Sequence, residues 1–285
     1  MSNKYRASYK WRKLYKDTYA IRDNGGGIGS VYMYLLVGTE KALLIDSGYG
    51  MNNLKEITQA ITDKEVICVC THGHLDHVLG AYQFEKAYLH SKDNEVYQMH
   101  TNSDRLRKMC YTGLFYPLRD KTARDARFRE NVEKIASKEY GLLRPLETCK
   151  EFELGDRLVT WRRLPGHTQG STVFIDEKFK TVFEGDSAGV GLWLFLEESS
   201  PLSQFVSDVG EYLVFLEKKQ INRRYMGHMS LPLRTTDLRR LIRCCRYAIQ
   251  NPQKGKIYQT VFGQTRQIIK YGTEAYFRID TKNGV

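Results

Sequence analysis

His72-Gly73-His74-Leu75-Asp76-His77 places four metal-ligand side chains within six residues, and it constrains this 285-residue chain more than any other segment. Three of the seven histidines fall inside it. The apolar run Val66-Ile67-Cys68-Val69-Cys70 just upstream reads as a short buried strand that ends at Thr71. His72 and His74 are two apart, so in extended backbone they project to one side. Asp76 and His77 then open a helix, where the dipole favours a carboxylate. His74 and His77 therefore need not hold the same ion, and a block divided in this way suits two adjacent metals. Its nitrogen and oxygen donors, with no thiolate, fit zinc, manganese or iron.

Three later segments repeat the pattern of a ligand at a strand exit. Leu164-Pro165-Gly166-His167-Thr168-Gln169-Gly170-Ser171 presents a histidine in a turn after a strand-like stretch at 158–164. Thr181-Val182-Phe183-Glu184-Gly185-Asp186 is a β-branched and aromatic run ending in Gly-Asp. Arg224-Tyr225-Met226-Gly227-His228 is a short strand, a glycine, then a histidine. Singly, Gly-Asp and Gly-His are ordinary turns; their shared placement makes them informative together. His90 and His100 have no such setting and read as surface or loop histidines.

With these residues assembled, the chain resembles the metallo-β-lactamase fold superfamily and, within it, the glyoxalase-II-like hydrolases. The resemblance runs from about residue 19 to residue 228, through Asp46 in Leu44-Ile45-Asp46-Ser47-Gly48, the 72–77 block, His167, Asp186 and His228. It implies an α/β fold, a four-layer αββα sandwich with the metals at one edge of its two sheets and a helical insertion. It also implies that His72, His74 and His167 hold one metal, that Asp76, His77 and His228 hold the other, and that Asp186 bridges them. Asp46 would steady the ligand loop from behind, though it reads equally as a turn cap after a buried strand. Two divalent ions, zinc foremost with manganese or iron open, would make hydroxide available near neutral pH for attack on a small ester, thioester or lactone. Asp76 would be catalytic as well as a ligand, orienting that hydroxide. No separate Ser or Cys nucleophile is expected.

The rest of the pattern agrees with one domain over residues 1–285. Residues 30–38 and 41–46 read as a hairpin, 51–61 and 236–249 as helices, and Ser200-Pro201 as a helix start with proline at the first helical position. The 256–280 tail alternates as extra strands, so the helical tail of true glyoxalase II, and with it that enzyme's specific substrate, is not carried over. The interval 90–150 reads as a lid-like helical insertion, bringing Tyr111 and Phe115 to the substrate pocket. The apolar stretch 187–196 adds Trp193 to the same pocket.

Export is not expected, because residues 1–16 are rich in Lys, Arg and Tyr and lack an apolar signal core. Six cysteines without a disulfide framework suit a reducing, cytoplasmic setting. No stretch reaches transmembrane length, so no membrane partner is expected. The formal net charge of +11 raises phosphodiester chemistry as an alternative. Basic and acidic residues are interleaved, however, so nucleic acid is not the expected partner; a small molecule is, with a homo-oligomer left open. A second alternative is an oxidoreductase similar to the persulfide dioxygenases, whose related ligand set uses a single iron bound by two histidines and one aspartate.

Overall fold

Apolar residues on alternate positions of successive strands set the layers of this fold. The computed structural model describes residues 7–112, 125–260 and 263–278. Its first sheet has seven strands in chain order: β1 (Tyr9–Tyr15), β2 (Thr18–Asp23), β3 (Val31–Val37), β4 (Lys41–Ile45), β5 (Glu65–Val69), β6 (Ala87–Leu89) and β7 (Arg144–Pro145). The expected hairpin is β3 and β4, antiparallel with Tyr34 opposite Ile45. From β4 onward the neighbours run parallel. The second sheet combines β8 (Glu151–Glu153), β9 (Leu158–Arg163), β10 (Thr172–Asp176), β11 (Thr181–Phe183) and, after the short β12 (Leu192–Leu194), β13 (Arg223–Tyr225), in the order β13-β11-β10-β9-β8.

Ala20, Tyr34, Leu36, Leu43, Ile45, Ile67 and Val69 face the second sheet and pack on Phe152, Val159, Phe174, Phe183 and Tyr225. Their neighbours Ile21, Met33, Leu35, Leu44 and Cys68 face the other way, toward helices. On the far side of the second sheet, Val173, Ile175 and Val182 pack on two long helices. Three buried clusters thus separate four layers, the αββα sandwich that was expected.

The outer helices follow from local signals. Helix α1 (Leu54–Ile61) starts where the Asn53 side chain accepts from the Glu56 amide. Helix α2 (Leu75–Val78) is a single turn carrying Asp76 and His77, with His74 still extended at its cap. Helices α3 (Asn94–Thr101), α4 (Ser103–Thr112) and α5 (Ala126–Ala136) occupy much of the 90–150 interval. Their Leu106, Met109, Phe128, Val132 and Ile135 complete the cluster over the first sheet. Helices α6 (Leu202–Lys218) and α7 (Thr235–Gln250) cover the second. Pro201 takes the cap of α6, one residue before the expected first helical position; with no N–H to leave unpaired, either place suits it.

The tail forms strands as expected: β14 (Lys256–Thr260), β15 (Gly263–Lys270) and β16 (Thr273–Arg278). They build a third sheet, and β12 from the apolar 187–196 stretch joins its edge parallel to β16. Among the described residues, no helix is long and apolar enough to cross a membrane.

Candidate metal centre

The seven candidate ligand residues of the sequence pattern come together where four segments leave the two sheets. His72 and His74 follow β5, Asp76 and His77 sit in α2, His167 follows β9, Asp186 follows β11 and His228 follows β13. His74 Nδ1 lies 3.1 Å from His72 Nε2 and 2.9 Å from His167 Nε2, which makes one trio. Asp76, His77 and His228 make the second: Asp76 Oδ2 lies 3.7 Å from His77 Nε2 and 3.4 Å from His228 Nε2. Asp186 stands between them, its Oδ2 being 3.1 Å from His228 Nε2, 3.7 Å from His77 Nε2 and 3.8 Å from His167 Nε2.

The outward nitrogen of each histidine has an oxygen to hold it. His72 Nδ1 meets Thr71 Oγ1 at 3.0 Å, His77 Nδ1 meets Asp46 Oδ2 at 2.8 Å, and His74 Nε2 meets Glu198 Oε1 at 2.7 Å. His167 Nδ1 reaches the Trp193 carbonyl at 2.9 Å and His228 Nδ1 the Ser30 carbonyl at 2.8 Å. With an N–H donated outward, the other nitrogen of each ring is the one that can turn a lone pair to the centre once it carries no proton, the tautomer a metal requires. Asp46 does more than cap a turn. It is buried at φ +64°, a costly backbone state for a non-glycine residue, and Oδ1 also accepts from the Thr71 amide at 2.7 Å.

Asp93 ties the two histidine loops together. Fully buried, it accepts from the Gly73 amide at 2.8 Å, the Thr168 hydroxyl at 2.7 Å and the Gly170 amide at 2.6 Å. A Cβ on Gly73 would come within 2.9 Å of Asp93 backbone, and one on Gly227 within 2.6 Å of Asp186 Oδ1. Glycine at both positions is therefore a condition of the ligands' close approach.

Charge at the centre is divided between the trios. Burial, then the nearby imidazoles, holds His72 well below its ordinary value; burial and His74 bring His167 down to about 4. These rings stay neutral and keep free lone pairs. For His77, burial is outweighed by Asp46, Asp76 and Asp186, which hold it protonated well above the ordinary range. Despite burial, His77 and His228 lower the Asp76 and Asp186 carboxyls. His77 Nε2 and Asp186 Oδ1 are nonetheless buried without a hydrogen-bond partner. Such orphaned atoms are costly. A cation between them would satisfy both, so the residue set fits metal.

Of the expected pocket residues, Trp193 lines a cavity of about 910 Å³ that also reaches Asp76, His167, Asp186 and His228. Tyr111 lies elsewhere, its ring 6.2 Å from Phe128 in the helical cluster and its hydroxyl donating to Glu133 at 3.3 Å. Phe115 lies outside the described residues. His90 and His100 differ from the surface expectation, for both are buried. His100 Nδ1 accepts from the Leu75 amide, and its ring lies 4.7 Å from that of His74. Its i, i+4 spacing from buried Val96 was the signal for an inward face. Glu198 and Asp93 carried no comparable local signal.

These features define a hydrolase of the metallo-β-lactamase class. The sequence model of the metallo-beta-lactamase superfamily matches residues 26–228, and the chain belongs to that superfamily. It is similar to the acyl-coenzyme A thioesterase MBLAC2 of Homo sapiens, 23% identical over 210 residues that cover 70% of this chain and 72% of the relative. The Bos taurus protein of the same name matches to the same extent. Among solved structures, the DIM-1 metallo-beta-lactamase superposes with a TM-score of 0.55 at 17% identity, covering 85% of this chain and 99% of that one. A metallo-beta-lactamase from Pontibacter korlensis gives 0.54 at 17% identity, covering 81% and 96%. At such identities the structural matches speak for the fold.

Proposed function

We propose that this chain is a dinuclear metallohydrolase of a small-molecule thioester, with esters and lactones as related substrates. The observation that carries the proposal is the pair of ligand trios flanking Asp186, with His77 Nε2 and Asp186 Oδ1 buried and otherwise unpaired. His72, His74 and His167 would hold one divalent ion, Asp76, His77 and His228 the other, and Asp186 would touch both. Zinc is the first expectation from the donor set, with manganese or iron compatible. When bound, the ions would supply a nucleophile from water near neutral pH and polarise the scissile carbonyl.

The chain's own residues do the rest. Asp76, whose carboxyl stays ionised, would accept a hydrogen bond from the attacking water and fix its direction. His72, His74 and His77 are almost fully buried, whereas the side chains of Asp186 and His228 are 18% and 44% exposed. Substrate would therefore approach past Asp186 and His228, from the cavity side. Aromatic and aliphatic lining there suits an acyl group. The similarity to acyl-coenzyme A thioesterases favours the thioester over the other carbonyl substrates.

The test is metal content of protein purified without added metal, read beside hydrolysis of thioester, ester and lactone panels. About two zinc or manganese ions per chain and thioester turnover are expected. His72→Ala and Asp186→Ala should each lose metal and turnover while remaining folded. A single iron per chain with oxidation of a thiol-bound sulfur, or full activity in both variants, would overturn the proposal.

A further inference from the structure

Strands β1 and β2 form one end of the first sheet, and three of their cationic residues share a face. Ala20 on β2 and Tyr34 on β3 face the second sheet. Residues paired across antiparallel strands share a face, so Arg12, opposite Ala20, stands on that face as well. Arg22, two residues beyond Ala20, and Lys10, opposite Arg22, follow on it. All three are exposed. Arg22 Nη2 donates to Ser30 Oγ at 2.8 Å, and Arg12 Nη2 donates to the Ser230 carbonyl at 3.1 Å. Ser30 lines the cavity beside the metal centre, and its carbonyl is the one that holds His228 Nδ1. Met229, next to Ser230, lines the cavity too. Both guanidiniums are thereby fixed at the cavity mouth, on the His228 side by which substrate would enter.

These charges lack what usually offsets them. Lys10 and Arg22 are like charges directly opposite one another, a pairing that costs stability. Among the described residues, no Asp or Glu pairs with Lys10, Arg12 or Arg22. Lys13, on the other face of β1, does pair, with Asp17 at 3.3 Å. The groups that hold the two guanidiniums, a hydroxyl and a carbonyl, are neutral acceptors, so each keeps its full charge and further N–H donors. An anion with several oxygens satisfies such a set, and the planar fork of arginine matches phosphate oxygens in pairs.

The geometry points to a phosphate-binding subsite formed by Arg22, Arg12 and Lys10 at the cavity mouth, which holds the thiol half of a thioester whose carrier bears phosphate groups. Val190 and Leu192 give the acyl half apolar lining, so the thiol half extends outward past His228 and Ser30. The substrate half of this inference rests on the proposed hydrolase reading; the anion-binding half does not.

Titration calorimetry on the full chain as purified, in about 150 mM salt to screen distant charges, uses adenosine 3′,5′-bisphosphate and adenosine as probes. The bisphosphate should bind at least about tenfold more tightly than adenosine. Arg22→Gln and Lys10→Gln should each weaken the bisphosphate at least about fivefold. Metal content of Arg22→Gln should equal that of the parent, which separates loss of the anion from a displaced His228. Lys55→Gln removes an exposed charge from α1, on the opposite face of the same sheet, and should cost less than about twofold. Equal losses in all three variants, or a bisphosphate bound no more tightly than adenosine, would leave only the overall positive field and overturn the subsite. Acetyl-coenzyme A and S-acetyl-N-acetylcysteamine, the same thioester without phosphates, are then compared as substrates. The parent should prefer the first through KM, and Arg22→Gln and Lys10→Gln should narrow that preference at least about fivefold. Turnover of both thioesters by the parent at equal kcat/KM would overturn the assignment of the subsite to the thiol half. Bisphosphate binding that depends on Arg22 and Lys10, without turnover of any thioester, would remove the hydrolase reading and leave the subsite standing.

Discussion

At the scale of single residues, the candidate ligands are visible in sequence and the residues that hold their side chains in place are not. His72, His74, Asp76 and His77 declare themselves because they are packed into six positions after an apolar strand. Glu198, which holds His74, lies 124 residues further along the chain, and Asp93 reaches Thr168 across 75. Neither stands in a pattern that periodicity or motif spacing can detect, since the contact exists only after the sheets have paired. Glu198 is held ionised down to about 2, because its hydrogen bond with His74 and the attraction between the two groups outweigh the burial that opposes them. It can therefore take the His74 Nε2 proton as a fixed hydrogen bond and keep Nδ1 turned inward. Glu198→Gln preserves the shape but removes the charge, and metal affinity should fall by roughly 10–100-fold. Competition with a chelating dye measures this directly; an affinity within about twofold of the parent would show that Glu198 does not orient His74.

At the scale of elements, strand positions were legible where an apolar run, a hairpin pattern or a long alternation marked them, as in β5, in β3 and β4, and in the 256–280 tail. The strand β12 was not, because Leu192-Trp193-Leu194 is three residues inside an apolar run, and its pairing partner comes from the far end of the chain. The join between β11, β13 and α6 was equally hidden. Arg224 and Glu184 form a fully buried bidentate pair, with Nε to Oε1 and Nη2 to Oε2 both 2.8 Å. The Tyr212 hydroxyl donates to Glu184 at 2.6 Å, and Arg224 also donates to the Ala188 and Arg234 carbonyls. One pair thus fixes the exits of two strands, placing Asp186 between Glu184 and Ala188 and placing His228 just beyond Arg224. Arg224→Met would leave a buried carboxylate without its partner, a loss of about 3–5 kcal/mol. Urea unfolding together with metal analysis checks this: stability should fall by that amount, and metal should be lost from the Asp186 side. A change under about 1 kcal/mol with full metal would show that the pair does not set the site.

At the scale of the whole molecule, the sandwich gathers five imidazoles and two carboxylates at one edge of its sheets, and that crowding makes stability depend on protons and metal in opposite directions. In the unfolded chain each histidine titrates near about 6.5. Folded, His72 sits well below that and His167 at about 4, through burial first and neighbouring imidazoles second. Between about pH 6.5 and 4 the unfolded chain therefore binds protons that these rings refuse, so metal-free protein loses stability as the pH falls. His77 and His228 act in reverse, because nearby carboxylates outweigh burial and raise both well above their ordinary value. Their contribution is complete below about 6.5 and is lost as the pH rises through the raised values. The two limbs meet, so chelated protein should be most stable near neutrality and weaker on either side. A divalent ion replaces the protons on His77 and His228 and competes better as protons become scarce. Saturating zinc should accordingly abolish the alkaline limb and leave the acid one, with the stabilisation by metal growing as pH rises. Urea midpoints from pH 4 to 9, with chelator and with zinc, give both curves. Parallel curves would mean that protons and metal do not share these histidines, and the assignment of His77 and His228 as ligands would fall with them.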